Sequence, residues 1–98
     1  MPRTVEFSNL AKEDLRSITG FTVDSWGIEQ AAKYIEKIRA ACALLLSNPE
    51  LGRLHRESDL GLRRLETGRH VIVYRASTES ILIVRILHER MIPARHLH

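Results

Sequence analysis

The side chains of this 98-residue chain that could do chemistry are concentrated in its second half. Residues 50–98 hold all five histidines and nine of the fifteen Lys/Arg residues, and each of those nine is arginine. Cleaving a phosphodiester through a neighbouring hydroxyl needs a base, an acid and cations against the charged transition state. His88 and His70 are the residues to nominate for proton transfer, because imidazole titrates near neutral pH. Arg63, Arg85 and Arg90 would supply charge, and Tyr74 an assisting hydroxyl. The competing reading is structural, since an isolated histidine at a strand end more often serves as a hydrogen-bonding residue and a charged side chain is mostly solvated. Arginine's planar fork also grips carboxylates, so the same residues suit recognition of an anionic partner.

Other chemistries find less support. No GxxxxGK[ST] and no GxGxxG is present, so no phosphate-cradling loop is indicated. The single Cys42 cannot form an internal disulfide, no Cys/His cluster has zinc spacing, and Cys42 lies in an apolar helical stripe as a small core residue. His96 and His98 could pick up a metal, but no carboxylate follows Glu89 and no third histidine is near in sequence. The pair reads as a chain end, and neither metal nor cofactor is expected. With 44% hydrophobic and 28% charged residues the composition is globular. A net charge of +3 is too small to identify a nucleic-acid binder, and the second helix mixes its charges evenly without a basic stripe, so direct sequence-specific nucleic-acid binding is not expected. The apolar runs 40–46 and 81–87 are far shorter than the roughly 20 residues of a membrane span, and residues 1–10 lack an apolar signal core. A single cytoplasmic domain over residues 1–98 is expected.

The elements that position these residues follow from periodicity. Val5 and Phe7 alternate with polar neighbours as a first strand. Ser8 or Asn9 offers a helix N-cap, behind which Leu10, Leu15, Ile18, Thr22 and Trp26 keep a three-to-four spacing, with Glu13 and Asp14 toward the positive end of the dipole. Gly27 should close this helix in the left-handed conformation, and Ile28 restarts the pattern at once. In the second helix Ala31, Ile35, Ile38, Cys42 and Leu45 form a stripe flanked by Tyr34, Ala41 and Leu46, stopped by Asn48-Pro49 after about twenty residues, or roughly 30 Å. Residues 50–61 show no period and read as a loop. Strands are predicted at 62–66, 69–75 and 81–88, with turns at Thr67-Gly68 and 77–80.

The predicted order is β-α-α-β-β-β, an α+β fold with a helical hairpin on one face of a small, largely antiparallel sheet. The last strand is apolar on both parities: Leu82, Val84 and Ile86 one way, Ile81, Ile83 and Leu87 the other, with Arg85 among the second set. Two helices cover one face only, so the second needs the C-terminal tail or a partner chain. A buried Arg85 needs a carboxylate, from this chain or from another.

The motifs AKEDL (11–15), WG (26–27), NPELGR (48–53), GLR (61–63), GRHVIVYR (68–75), ILIVRILHERM (81–91) and ARHL (94–97) occur in this order, and the chain thereby resembles the RelE/ParE toxin superfamily, most closely its ParE branch. The resemblance covers nearly the whole chain. It implies a bacterial type II toxin of the plasmid-stabilisation kind, neutralised by a ParD-like antitoxin in a hetero-oligomer, with DNA gyrase as the target inhibited by binding. Ile81, Ile83, Arg85 and Leu87, with Arg63, would face the antitoxin. His88, Arg90, Met91, Arg95, His96 and Leu97 would engage the target from a flexible tail at 91–98. Tyr34 and Trp26 are secondary candidates, Trp26 being expected in core or hinge packing. Asn9 stands where many relatives have proline, and Ile92 where an aspartate commonly follows the methionine. The alternative within the superfamily is a RelE-like ribosome-dependent mRNA endoribonuclease with His88, Arg85 and Arg90 as catalytic candidates. RelE-type sites combine several Lys/Arg residues with a Glu/His base or a terminal tyrosine, and neither tyrosine nor lysine follows Tyr74.

Overall fold

A computed structural model describes residues 3–54 and 61–91. The period-two stretch at the start forms β1 (Thr4–Phe7), and Ser8 then caps α1 (Asn9–Trp26), its Oγ accepting a hydrogen bond from the Ala11 N–H at 3.0 Å. Gly27 joins α1 to α2 (Ile28–Leu44). Its φ of 90° with ψ of 167° is extended rather than left-handed helical, yet still a positive φ that glycine takes at least cost. The second helix is 17 residues long, and its end is closed by the Asn48 side-chain amide donating to the Leu44 carbonyl.

The expected loop contains a two-residue strand, β2 (Arg53–Leu54), followed by β3 (Arg63–Thr67), β4 (His70–Ala76), β5 (Ser80–His88) and a 3-10 turn at Glu89–Met91. The sheet order is β1-β5-β4-β3-β2, with β1 parallel to β5 and every other pairing antiparallel. Gly68, at φ 59°, opens the two-residue β3–β4 turn.

Both helices lie on one face. Ala11, Ile18, Ile38, Cys42 and Leu45 meet Ile72, Tyr74, Ile81, Ile83 and Ile86 in one core. Burial pushes the Cys42 thiol up to about 11, against the opposing charge of Arg39, which suits an inert core residue.

Two expectations are corrected here. Ile81 and Ile83 do not face an uncovered side of the sheet; both are fully buried against the helices. The cause is a bulge. Tyr74 pairs with Ile83 and Val73 with Arg85, so Val84 is an extra residue and the alternation changes phase across it. Ile86 joins Ile81 and Ile83 on the helix face, which no uninterrupted period of two allows. Trp26 is not packed at a hinge either: it is 72% exposed, with Phe21 and Ile28 exposed beside it. The hairpin overhangs the sheet at this tip, since the main core reaches no farther along α1 than Ile18.

Candidate functional site

The nominated residues fall into separate places. At one end of the sheet, His70 and His88 form a cross-strand pair, their rings edge to face with centroids 5.2 Å apart. Tyr34 reaches this pair from α2, its hydroxyl 2.5 Å from His70 Nδ1 while accepting the Arg69 N–H at 3.1 Å. His88 Nδ1 accepts the Arg90 N–H at 3.1 Å, and Arg69 pairs with Glu89 at 3.4 Å. Burial lowers the His70 pKa below 6.5 and the neighbouring His88 acts in the same direction, while Glu89 opposes.

Arg85 lies elsewhere, beside α1. It makes a bidentate pair with Asp14, Nε to Oδ2 at 2.8 Å and Nη2 to Oδ1 at 3.0 Å, and the same Oδ2 accepts the Ile86 N–H at 2.9 Å. The carboxylate demanded by Arg85 therefore comes from within the chain. β1 ends at Phe7, so β5 beyond Ile83 has no strand on that side, and α1 substitutes for one: Ser8 Oγ donates to the Val84 carbonyl at 2.6 Å and Asp14 takes the Ile86 N–H. Burial raises the Asp14 pKa, but the Arg85 and Ile86 hydrogen bonds and the Arg85 charge outweigh it, leaving a net lowering. The Asp14 bond, ahead of the opposing burial, correspondingly raises Arg85.

Arg63 and Tyr74 hold the 49–52 segment. Tyr74, fully buried, donates its hydroxyl proton to the Pro49 carbonyl and accepts the Gly52 N–H, both at 2.8 Å, and Arg63 Nη1 donates to the Gly52 carbonyl at 2.7 Å. A Cβ at Gly52 would come within 2.7 Å of both the Arg64 carbonyl and the Tyr74 ring, so the closeness of this packing requires glycine. The residues weighed for phosphodiester chemistry thus fall in three places: His70, His88 and Arg90 at one sheet end, Arg63 and Tyr74 on the 49–52 segment, and Arg85 beside α1.

Side chains alternate across a sheet, so the side away from the helices carries Val71, Val73 and Arg75 of β4 with Leu82 and Leu87 of β5. Leu87 of the expected partner-facing set is here, half-buried. Register also lines up Arg53, Arg64, Val73 and Arg85 in one row across four strands. Periodicity gave no sign of this row, because strand register places it and β2 is too short to show a pattern. The Asp14 and Tyr34 partnerships were hidden for a related reason, each joining residues far apart in sequence. Asp14 had read only as a helix-dipole carboxylate. Met91 is exposed in the terminal turn, while Arg95, His96 and Leu97 lie outside the described residues, as does nearly all of the expected tail. No group of three His, Cys, Asp or Glu residues suited to a metal occurs among the described residues.

Two helices against one face of a mostly antiparallel sheet, with a parallel first strand beside the last, define the toxin fold of the RelE/ParE type. The same fold is found in the chromosomal ParDE toxin-antitoxin system of P. aeruginosa, with a TM-score of 0.74 at 24% identity over 88% of this chain and 95% of that one. It recurs in the E. coli DinJ-YafQ complex, with a TM-score of 0.66 at 14% identity over 94% and 98%. Residues 5–93 match the family model of the ParE toxin of the type II toxin-antitoxin system parDE. Toxin ParE1 of Mycobacterium tuberculosis (strain H37Rv) is 36% identical over 91 residues, 92% of this chain and 93% of that protein. Toxin ParE1 of Caulobacter vibrioides is 34% identical over 90 residues, with the same coverages. The chain belongs to the ParE toxin family. It is a toxin of the type II toxin-antitoxin kind.

Proposed function

We propose that this toxin inhibits DNA gyrase by binding, in the cytoplasm, and that a ParD-like antitoxin neutralises it. The observation that carries this reading is the dispersal of the nuclease candidates. Arg85 is engaged by Asp14, and the Tyr74 hydroxyl is buried in the hold on Pro49 and Gly52. What remains at the sheet end among the described residues is His70, His88 and Arg90 with Arg69, whose guanidinium is paired with Glu89, and this is fewer free converging cations than a charged transition state calls for. His88, Arg90 and Met91 instead form the root of a target-binding segment that continues through Arg95, His96 and Leu97.

The antitoxin reading rests on the outer face of the sheet. The half-buried Leu82 and Leu87, beside the buried Val71 and Val73 and flanked by Arg53, Arg64, Arg75 and the one-third-exposed Arg85, suit a segment that brings apolar side chains and carboxylates together. Leu87 belongs to this surface, whereas the buried Ile81 and Ile83 take no part, and Arg63, expected there, pairs in register with the helix-facing Tyr74 and is held by the Gly52 carbonyl.

A supercoiling assay run beside a ribosome-dependent mRNA cleavage assay tests the target. His88→Gln keeps a polar side chain and abolishes proton transfer, and it should largely preserve inhibition of supercoiling. Cleavage by the purified chain that falls roughly two to four orders of magnitude in His88→Gln, with no effect on supercoiling, would replace this reading with the RelE-like one.

A further inference from the structure

We propose that Tyr34 and His70 are positioning residues for the turn that begins at His88, holding it docked while both imidazoles are neutral and releasing it on acidification. This rests on the reading above, in which that turn is the root of the target-binding segment.

The hydrogen bonds restrict the protons. The Tyr34 oxygen accepts the Arg69 N–H and keeps a second lone pair, so the Tyr34–His70 bond by itself allows either direction; the latch takes the one in which Tyr34 donates to His70 Nδ1, leaving His70 neutral with its hydrogen on Nε2. His88 Nδ1 accepts the Arg90 N–H, which fixes the same tautomer there. Acid adds a proton at the two atoms that must stay bare. On His88 it sets N–H against N–H and breaks the bond that holds Arg90. On His70 it displaces the tyrosine proton and places a positive charge 5.2 Å, centroid to centroid, from the second ring.

The groups facing the pair come from every neighbouring element. Tyr34 faces it from α2, Arg69 from the β3–β4 turn, and Glu89 and Arg90 from the terminal turn. Among the described residues Glu89 alone favours the charged His70 imidazole, and its carboxylate is shared with Arg69. Position 68 is built for this contact. A Cβ there would lie 2.8 Å from the Tyr34 oxygen, so glycine lets the hydroxyl reach both Arg69 and His70. Because β5 runs directly into the turn, and the Glu89 N–H also donates to the Arg69 carbonyl at 2.8 Å, the β3–β4 turn, α2 and the terminal turn are joined at one point.

Long-range proton–nitrogen spectra of the purified full chain, recorded from pH 7.5 to pH 5, provide the test. At pH 7.5 both histidines should show the Nε2–H tautomer. As the imidazoles protonate, the Arg90 amide should move with them, and its exchange, corrected for intrinsic pH dependence, should rise about five- to tenfold, the scale of one lost hydrogen bond. The amides of Ile72 and Ile83 should stay unmoved. Tyr34→Phe keeps the ring and removes only the oxygen, so His70 should then protonate at higher pH. An Nδ1–H tautomer on His88, an Arg90 amide indifferent to acid, or an unmoved His70 midpoint in Tyr34→Phe would each overturn the proposal. None of these readouts needs a target. A chain that passes them and leaves gyrase untouched keeps its latch and loses only the target assignment.

Discussion

The two faces of the sheet are built from alternate residues of the same strands, yet they do different work. Ile72 and Tyr74 of β4 meet the helices and are fully buried, while their neighbours Val71 and Val73, also buried, point to a side where arginines from β2, β3 and β4 stand among them and the half-buried Leu82 and Leu87. The helix face is a packed core in which volume decides the energy. The outer face mixes charge and apolar surface as a recognition site does. Neighbouring substitutions on β5 should separate the two. Ile83→Ala should cost about 2–5 kcal/mol in chemical denaturation, since it opens a cavity between sheet and helices. Leu82→Ala, one residue away and half-buried, should cost less than half as much and show its main effect as weakened antitoxin binding. Equal losses of stability would mean that the outer face is also core.

The Asp14–Arg85 pair sits where the two faces meet. Replacing Asp14 by alanine leaves the Ile86 N–H and the Arg85 charge without their acceptor. Charged hydrogen bonds are worth more than neutral ones, but Arg85 keeps about a third of its side chain in water, and an expected loss of roughly 1–2 kcal/mol reflects that screening. The pH dependence follows from the sign of the shift. Asp14 has a folded pKa below its reference 3.8, so its contribution is complete above that value and is lost as pH falls through the folded pKa. His70, also lowered, is favoured neutral in the folded chain; its contribution is complete above pH 6.5 and declines as pH drops below it. Denaturation midpoints should therefore fall in two separate acid ranges, the upper one absent in His70→Gln and the lower one absent in Asp14→Ala.

The parts of this architecture that were legible in the sequence are those with local causes. The Ser8 cap, the Ala31–Leu45 stripe and the strands on either side of Gly68 follow from spacing and turn chemistry, and the structure reproduces them. The demand of Arg85 for a carboxylate was equally readable, because it follows from the cost of burying a charge. Its supplier was not, since Asp14 and Arg85 are 71 residues apart and only the end of β1 at Phe7 frees the β5 edge for α1. The bulge at Val84 escaped because an extra residue exists only relative to the partner strand. It inverted the faces of Ile81, Leu82 and Ile83 before the bulge, while Arg85, Ile86 and Leu87 beyond it lie on the faces expected. Tyr34, Gly68 and His70 each had a conventional role by themselves, as a stripe residue, a turn glycine and a strand-end histidine, and only the fold brings the three to one point.

The smallest effect expected concerns the outermost member of the arginine row. Arg53 pairs with Glu66, and both side chains are 64% exposed, so solvent screens the attraction and holding two long side chains in one geometry costs entropy. Arg53→Ala should leave the stability of the free chain almost unchanged. Its role in the outer-face reading is different, because a charge at the rim of an interface acts mainly on the approach of an oppositely charged partner. Association with the antitoxin in Arg53→Ala should be slowed at low ionic strength, and the difference from the parent chain should shrink as salt shortens the Debye length from about 30 Å at 0.01 M to about 8 Å at 0.15 M. Stopped-flow association at several salt concentrations reads this directly. A variant whose association rate matches the parent at every salt concentration would place Arg53 outside the surface that the antitoxin approaches, and the recognition row would begin at Arg64.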